Sequence, residues 1–180
     1  MSSLETRKLS RFETHNKIQV MVVTALFIAL TYLGCMIHIQ LPFGGKGGLI
    51  HLGNIPLFVG AILFGRKTGA IAGGVGMALF DLLSPYASWA PFTFIIVATM
   101  GYVTGWGAER KKGMLWYVIF MLAALVIKLV GYYFAEVVLY GNWVVPVGSI
   151  PGNIIQVGTA IVVVSIMIRP LEGIMRQVRK

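Results

Sequence analysis

The sequence predicts an all-α integral membrane protein, with six transmembrane helices in a single domain (residues 1–180) and both termini in the cytoplasm. Of its 180 residues, 57% are hydrophobic and only 12% are charged, whereas about a quarter of the residues in a soluble domain are charged. The mean hydropathy is +0.83, and long apolar runs recur along the whole chain. Basic residues recur at alternate connections between these runs, a pattern that sets the orientation of a membrane protein.

Six apolar runs correspond to the predicted helices. A helix needs about 20 apolar residues to cross a bilayer, and the second and third runs fall short of this length. Both are rich in glycine, so neighbouring helices or a locally thinner bilayer would accommodate them. Only residues 66–68 separate them, which predicts an antiparallel pair. The predicted helices span residues 18–39, 50–65, 69–84, 90–107, 114–138 and 150–168, after a polar cytoplasmic tail at residues 1–17.

Lysine and arginine decide the predicted orientation. If the N-terminus is cytoplasmic, the inner segments hold 13 of the 15 basic residues, as the positive-inside rule requires. The exceptions are Lys46, in the first outer loop, and Lys128, within the fifth helix. The net charge of +9 therefore indicates membrane topology, not a nucleic-acid partner.

Several kinds of site are not expected. The single cysteine, Cys35, excludes an internal disulfide, and no Cys/His cluster has the spacing of a zinc site. Residues 60–68 resemble a phosphate-binding loop, but an extra arginine separates the last glycine from the lysine, and the segment follows a membrane helix, not a strand. A polar, charged N-terminus before a long apolar run is not typical of a signal peptide. We expect no catalytic residues, no metal and no cofactor.

The segment from residue 42 to residue 65 contains the first candidate site residues. Four glycines flank Lys46 within residues 44–48, and so many glycines favour an open backbone over a helix. His51 and Asn54 follow at the mouth of the second apolar run, where polar groups are costly unless they have partners. We expect these two side chains to line a small-molecule site and the glycine-rich loop to cover it.

The fifth helix carries three polar residues in an otherwise apolar stretch. Lys128, Tyr132 and Glu136 are spaced at i, i+4 and i+8, which predicts that they share one helix face. Ionisable residues at this depth usually face the bundle interior and mark a partner or a ligand path. The alternative for Lys128 is a structural ion pair with Asp81.

The sixth helix opens with two amides. Asn153 and Gln156 are three residues apart, so their side chains point the same way. Amides offer both donors and acceptors, which suits a neutral heterocycle. The alternative is hydrogen bonding between helices, a common role of polar residues in membranes.

The candidate residues other than Lys128 fall in the predicted outer half of the membrane, and the inner half has almost no polar side chains. This asymmetry predicts a pocket that opens outward and is closed below, whereas a channel or an alternating-access carrier would need polar lining through to the cytoplasm. Two aromatic residues of the set offer ring faces on which a ligand could stack. The predicted substrate-binding residues are His51, Asn54, Asp81, Trp89, Lys128, Tyr132, Glu136, Asn153 and Gln156.

The first helix carries a surface of small residues. Ala25 and Ala29 lie one turn apart, and small residues at this spacing let another helix approach closely. Spacing alone favours packing inside the same bundle over contact with a partner protein. Gly69 and Gly73 make a similar surface on the third helix, which we expect to be internal.

These features resemble the substrate-binding S component of an energy-coupling factor (ECF) vitamin transporter. The likeness covers essentially the whole chain: the basic N-terminal tail, the Ala-x-x-x-Ala motif, the glycine loop, and the stretches HLGNIPLFVGAILFG, GAIAGGVGMALFDLLS, WAPFTF and PGNIIQ. The combination of HLGN, FDLLS and WAPF is similar to the branch for hydroxymethylpyrimidine or pyridoxine-type vitamins, which is related to riboflavin S components.

The resemblance implies a protein of the prokaryotic plasma membrane that captures a vitamin at the extracellular face. It implies a transmembrane coupling subunit and two cytoplasmic ATPase subunits as partners, with Ala25 and Ala29 at the contact with the coupling subunit and the first outer loop as a lid. In the mechanism proposed for the family, the S component topples in the membrane to deliver its cargo while its partners hydrolyse ATP. The departure of residues 60–68 from a phosphate-binding loop fits this division of labour.

Two other functions are compatible with a small polytopic membrane protein. An autonomous carrier or channel would need a polar path through the inner half, and the sequence does not supply one. A membrane enzyme could use Glu136, Asp81 or His51 as acid or base, but these residues do not form a paired constellation at short spacing.

Overall fold

The computed structural model describes residues 3–40 and 49–178, whose backbone is almost entirely helical. Two three-residue strands and two short 3-10 helices, Ala87–Trp89 and Val145–Ser149, connect the long helices. The predicted helical fold with six helices is confirmed for these residues. The elements are α1 (Ser3–Met36), β1 (His38–Gln40), β2 (Leu49–His51), α2 (Asn54–Phe64), α3 (Arg66–Leu82), α4 (Ala90–Arg110), α5 (Met114–Tyr140) and α6 (Ile150–Val178).

Four of the six helices are long and apolar enough to cross a membrane. These spans are Lys17–Met36, Ala87–Arg110, Met114–Tyr140 and Val145–Met175. The helix α2 is apolar but has only 11 residues, and α3 has 17, so each is shorter than a bilayer normally requires. Six membrane crossings and cytoplasmic termini therefore stay predictions.

The first two predicted helices extend too far into the connection between them. The helix α1 ends at Met36, not at residue 39, and α2 begins at Asn54, not at residue 50. The residues between form strands β1 and β2, which pair antiparallel with His38 opposite His51. Their central residues, Ile39 and Ile50, are β-branched and face each other in the ladder, an arrangement that favours strand pairing over helix.

Other helices are longer than their apolar runs. The helix α1 begins at Ser3, inside the predicted tail, and α6 continues through Pro170 to Val178. Hydropathy shows where the apolar residues of a helix end, but the backbone hydrogen bonds of the helix can continue through polar residues. Both α1 and α6 therefore extend beyond their apolar runs. The helix α5 ends at Tyr140 because Gly141 adopts a left-handed conformation with φ 62°, the usual helix stop.

Close packing of α3 on α4 fixes one side of the bundle. A Cβ at Gly101 would overlap the backbone carbonyl of Gly69, so the two helices meet there without an intervening side chain. A Cβ at Gly73 would overlap the side chain of Leu57 on α2. The prediction that the glycine surface of the third helix is internal is therefore confirmed.

The small surface of α1 faces away from the bundle. Thr24, Phe27 and Thr31 are buried, whereas Ala25 and Ala29 are exposed. The alternative in which these two alanines pack inside the bundle is therefore wrong.

Candidate functional site

Seven of the nine predicted site residues converge on one cleft at the end of the bundle where β1 and β2 lie. This polar cleft is built from β2, the parts of α3 to α6 at that end of the bundle and the connection between α3 and α4. It contains about 390 Å³ of empty space, counted to its open mouth. Its lining residues are Leu49, His51, Asp81, Tyr86, Trp89, Thr93, Lys128, Tyr132, Asn153 and Gln156.

A chain of two hydrogen bonds crosses one wall of the polar cleft. The buried ammonium of Lys128 donates to Gln156 Oε1 at 2.8 Å, and Gln156 Nε2 donates to the backbone carbonyl of His51 at 3.2 Å. The chain joins α5, α6 and β2. The hydrogen bonding between helices that was considered for Gln156 is therefore present, and its amide also lines the cleft, while substrate binding by Gln156 stays a prediction.

Lys128 and Asp81 do not form the ion pair considered from the sequence. Within the part of the chain that the structure describes, an ion pair is found only between Arg66 and Glu109, at 3.5 Å. The Lys128 ammonium lies instead 5.4 Å from the centre of the Tyr132 ring, a cation–π geometry. Asp81 lies at the C-terminal end of α3 and lines the cleft, so the cleft holds one cation and one carboxyl group that are not directly paired.

Aromatic rings form another part of the cleft lining. Trp89 is only 5% exposed, and its ring centroid lies 6.2 Å from that of Tyr132 and 5.9 Å from that of Tyr140. The Tyr132 hydroxyl donates to Thr93 Oγ1 at 3.1 Å, which ties α5 to α4. These contacts hold the two predicted stacking residues, Trp89 and Tyr132, in fixed orientations beside the polar groups.

His51 is held as a neutral ring. Its Nδ1 accepts a hydrogen bond from the Gly53 amide at 3.2 Å, which assigns the ring proton to Nε2. Burial, together with the nearby charges of Lys128 and His38, lowers the pKa of His51 well below its usual range. The ring therefore offers the cleft a donor without a charge at neutral pH.

Asn54 and Glu136 are buried but do not line the polar cleft. Asn54 shares a helix face with Leu57 and Ala61, and this face packs on α3. Glu136 lies beside Ser149, and neither of its carboxylate oxygens has a hydrogen-bond partner among the described residues. At 3.6 residues per turn, eight positions turn a side chain by about 80°, so Glu136 is rotated from the side of α5 that Lys128 occupies and lies two turns further along the helix.

Three lining residues were not in the predicted set. Leu49 lies in the unpredicted strand β2, and Thr93 follows Trp89 by one helical turn. Tyr86 lies between α3 and α4, and its hydroxyl donates to Gln40 Oε1 at 2.7 Å. The position of Thr93 one turn after Trp89 was a usable sequence signal, whereas nothing in the sequence distinguishes Tyr86 from an interfacial tyrosine. The predicted cover at residues 44–48 lies outside the described residues.

The core beneath the polar cleft is apolar. Ala124 and Met121 lie one and two turns below Lys128 and are fully buried, and Val97 and Met100 of α4 are buried as well. Two further grooves occur, lined by α1, the end of α2 and the far ends of α4 to α6, and they share no lining residue with the polar cleft. This arrangement favours a cleft with one mouth.

Comparison with known proteins identifies the family of this chain. A model of the family described as "ECF-type riboflavin transporter, S component" matches residues 15–172. The chain belongs to this family. The sequence-based prediction of an S component is therefore confirmed, and the family is one of ECF-type membrane transporter subunits and not of enzymes.

Two relatives of this S component are similar in sequence. The "Thiamine precursor transporter HmpT" of Lactococcus lactis subsp. cremoris (strain MG1363) is 28% identical over 169 residues, which are 92% of this chain and 96% of the relative. An uncharacterised protein of Pyrococcus woesei is 36% identical over 106 residues, which are 57% of this chain and 69% of the relative.

A solved structure shares the fold of this S component. It is the S component of a bacterial ECF transporter, and it superposes with a TM-score of 0.72 over 88% of this chain and 98% of that chain. Sequence identity between the two is 18%. At this identity the comparison establishes the common fold alone.

Proposed function

We propose that this S component captures hydroxymethylpyrimidine, the aminopyrimidine precursor of thiamine, at the extracellular face of a prokaryotic plasma membrane. A transmembrane coupling subunit and two cytoplasmic ATPases then drive its delivery. The similarity to a thiamine precursor transporter over nearly the whole chain supports this substrate class. The family supports the division into a capture subunit and an energising module.

The observation that carries the proposal is the combination of groups around the polar cleft. An aminopyrimidine ring has an exocyclic amino donor, ring-nitrogen acceptors and a hydroxymethyl group. The Asp81 carboxyl group can accept from the amino group, while the Lys128 ammonium can donate to the hydroxyl oxygen. The planar ring fits between these groups and the faces of Trp89 and Tyr132. Asn153 can serve the remaining ring edge with either its oxygen or its nitrogen.

The size of the polar cleft favours a single ring. The empty space in the cleft, about 390 Å³ with the open solvent at its mouth included, is small, so a compact ligand is favoured. Riboflavin has three fused rings and a sugar-alcohol chain, which need far more room than a substituted pyrimidine. Pyridoxine matches in size but lacks an amino group for Asp81, so we rank it second.

Delivery across the membrane would need partner proteins, because the cleft ends on an apolar core. The exposed alanines of α1, Ala25 and Ala29, offer a flat surface on which a helix of the coupling subunit could pack closely. The competing function is an autonomous carrier. Uptake into vesicles that contain only this chain would support that alternative, and uptake that requires the coupling subunit and both ATPases would support the proposal.

Direct binding tests the substrate. The purified full chain is titrated with hydroxymethylpyrimidine, pyridoxine and riboflavin, and the fluorescence of the buried Trp89 reports occupancy against a Trp89→Phe control. We expect the tightest binding for hydroxymethylpyrimidine. Tightest binding of riboflavin, or copurification of riboflavin identified by mass spectrometry, would refute the proposed substrate.

A further inference from the structure

The side chain of Gln156 is already occupied on both sides. Its Oε1 accepts from Lys128 at 2.8 Å, and its Nε2 donates to the His51 carbonyl at 3.2 Å. Gln156 is only 3% exposed. One lone pair of Oε1 and one N–H of Nε2 are left, but at this burial a ligand in the polar cleft has little access to them.

The backbone of β2 fixes which way the amide points. A carbonyl oxygen accepts hydrogen bonds and cannot donate them, so the His51 carbonyl requires the NH₂ end of the amide. The oxygen end must then face Lys128, whose ammonium can only donate. The polarity of Gln156 is therefore set by a main-chain group, which no side-chain substitution in β2 would remove.

Asn153 provides a contrast on the same helix. It lies one turn before Gln156 and lines the same cleft, and no side-chain hydrogen bond of Asn153 is found among the described residues. One amide of the pair is therefore available to a ligand, and the other is committed to protein groups.

We propose that Gln156 is a positioning residue that holds the Lys128 ammonium in place, and that it is not itself a ligand contact. It orients the cation toward the cleft by using one of its three N–H donors and leaving the others for the ligand. This inference rests on the proposed function for the identity of the ligand, but the role of Gln156 applies to any ligand that accepts from Lys128. It distinguishes Gln156 from Asn153, which we assign to direct contact.

A double-mutant cycle on the full chain tests the inference. Gln156→Leu should weaken hydroxymethylpyrimidine binding by about tenfold, the usual effect of losing a hydrogen bond to a charged group. In a Lys128→Met background the same substitution should have little further effect, because there is no ammonium to position. The matched control, Asn153→Leu, should weaken binding by the same factor in both backgrounds.

Two further readouts separate positioning from a general structural role. Gln156→Glu keeps an oxygen for Lys128 but loses the donor to the His51 carbonyl, so it should recover only part of the lost affinity. The analogue without the hydroxyl group is 4-amino-2,5-dimethylpyrimidine. It should bind the unmodified protein less tightly than hydroxymethylpyrimidine does. The Gln156→Leu variant should bind the two ligands with nearly the same affinity. An equal loss from Gln156→Leu in both Lys128 backgrounds would overturn the inference.

The test also separates this inference from the proposed substrate. If the unmodified protein binds pyridoxine or riboflavin instead, the proposed substrate is wrong, and the same cycle with that vitamin decides the role of Gln156. If the unmodified protein binds none of the three vitamins, the midpoint of thermal unfolding without ligand is measured instead for the four proteins of the double-mutant cycle. Non-additive midpoints for Gln156→Leu and Lys128→Met would support the positioning contact, and additive midpoints would overturn it.

Discussion

His51 lies directly opposite His38 in the β1–β2 ladder, and one aromatic side chain, Phe80, contacts both imidazoles. The ring centroid of Phe80 lies 5.6 Å from that of His38 and 6.4 Å from that of His51. The two strands are therefore anchored on α3 through ring contacts as well as through their own backbone pairing. Because His51 lines the polar cleft, this anchoring also sets the shape of the cleft wall.

The first prediction concerns acidification. The pKa of His51 lies well below its usual value of about 6.5, so the ring is neutral at pH 7 and gains a proton only at lower pH. Protonation would place a second cation near Lys128, so the part of the ligand affinity that depends on His51 should be constant near neutral pH and fall as the pH drops through this lowered pKa. Affinity measured from pH 4.5 to 8 in the unmodified protein and in His51→Gln isolates this effect from the other titrating groups of the cleft. Identical profiles would contradict it.

The second prediction concerns Phe80. Its truncation to alanine removes a buried ring that contacts His38 and His51, and such truncations cost about 3–5 kcal/mol in well-packed cores. Phe80→Ala should lower the midpoint of thermal unfolding and weaken ligand binding. Phe94→Ala is the matched control, because Phe94 is 47% exposed on the outside of α4. Equal effects of the two substitutions would show that the contacts of Phe80 do not support the cleft.

The third prediction concerns Asp81. Asp81→Asn removes the only carboxylate that lines the polar cleft within the described residues. Loss of a charged hydrogen bond costs about 1.5–3 kcal/mol, so affinity for hydroxymethylpyrimidine should fall by roughly tenfold to a hundredfold. Isothermal titration calorimetry measures the change. Glu109→Gln, which breaks the ion pair with Arg66 away from the cleft, should leave affinity unchanged.

The fourth prediction compares Asn153 with Glu136. Asn153→Ala should weaken binding by up to about tenfold, because it removes an unpaired amide from the cleft. Glu136→Gln should leave affinity nearly unchanged, since Glu136 does not line the cleft. Equilibrium titration of both variants decides the matter. A large loss of affinity in Glu136→Gln would mean that the ligand reaches beyond the polar cleft toward Ser149.

The fifth prediction concerns the exposed alanines of α1. Ala25→Trp and Ala29→Trp should abolish ATP-dependent uptake in vesicles that contain the whole transporter while leaving ligand binding to the isolated chain intact, because a large side chain blocks close helix contact. Leu122→Trp on the exposed face of α5 is the control and should transport normally. Loss of ligand binding in the alanine variants would instead indicate damage to the bundle.

Much of the site could be predicted because polar residues are rare in apolar runs. Asp81, Lys128 and Gln156 stand out in such a background, and burying them without partners is too costly, so their convergence on one cleft follows from the sequence. The spacing rule predicted that Glu136 shares a face of α5 with Lys128. Around the helix axis, residues four positions apart differ by about 40° and residues eight positions apart by about 80°, so the rule is less accurate over eight residues. Its two-turn separation from Lys128 was enough to turn it away from the cleft.

The strands β1 and β2 could not be predicted, for a different reason. Each has three residues at the edge of an apolar run, and such short segments have no periodicity that separates strand from helix. Leu49 was missed as a result, since its place in the cleft depends on the pairing of β2 with β1. The predicted bounds of α1 and α2 were wrong at this connection because hydropathy measures how apolar a segment is and does not show whether its backbone forms a helix or a strand.

The glycine contact between α3 and α4 has a consequence for ligand entry. With Gly69 against Gly101, these helices are in direct backbone contact, and sliding one along the other would drive main-chain atoms into each other. Asp81, Trp89 and Thr93 therefore belong to a rigid half of the site. Widening that admits or releases a ligand is therefore easier on the side of β2 and α6, where the side-chain hydrogen bond from Gln156 to the His51 carbonyl can break and form again.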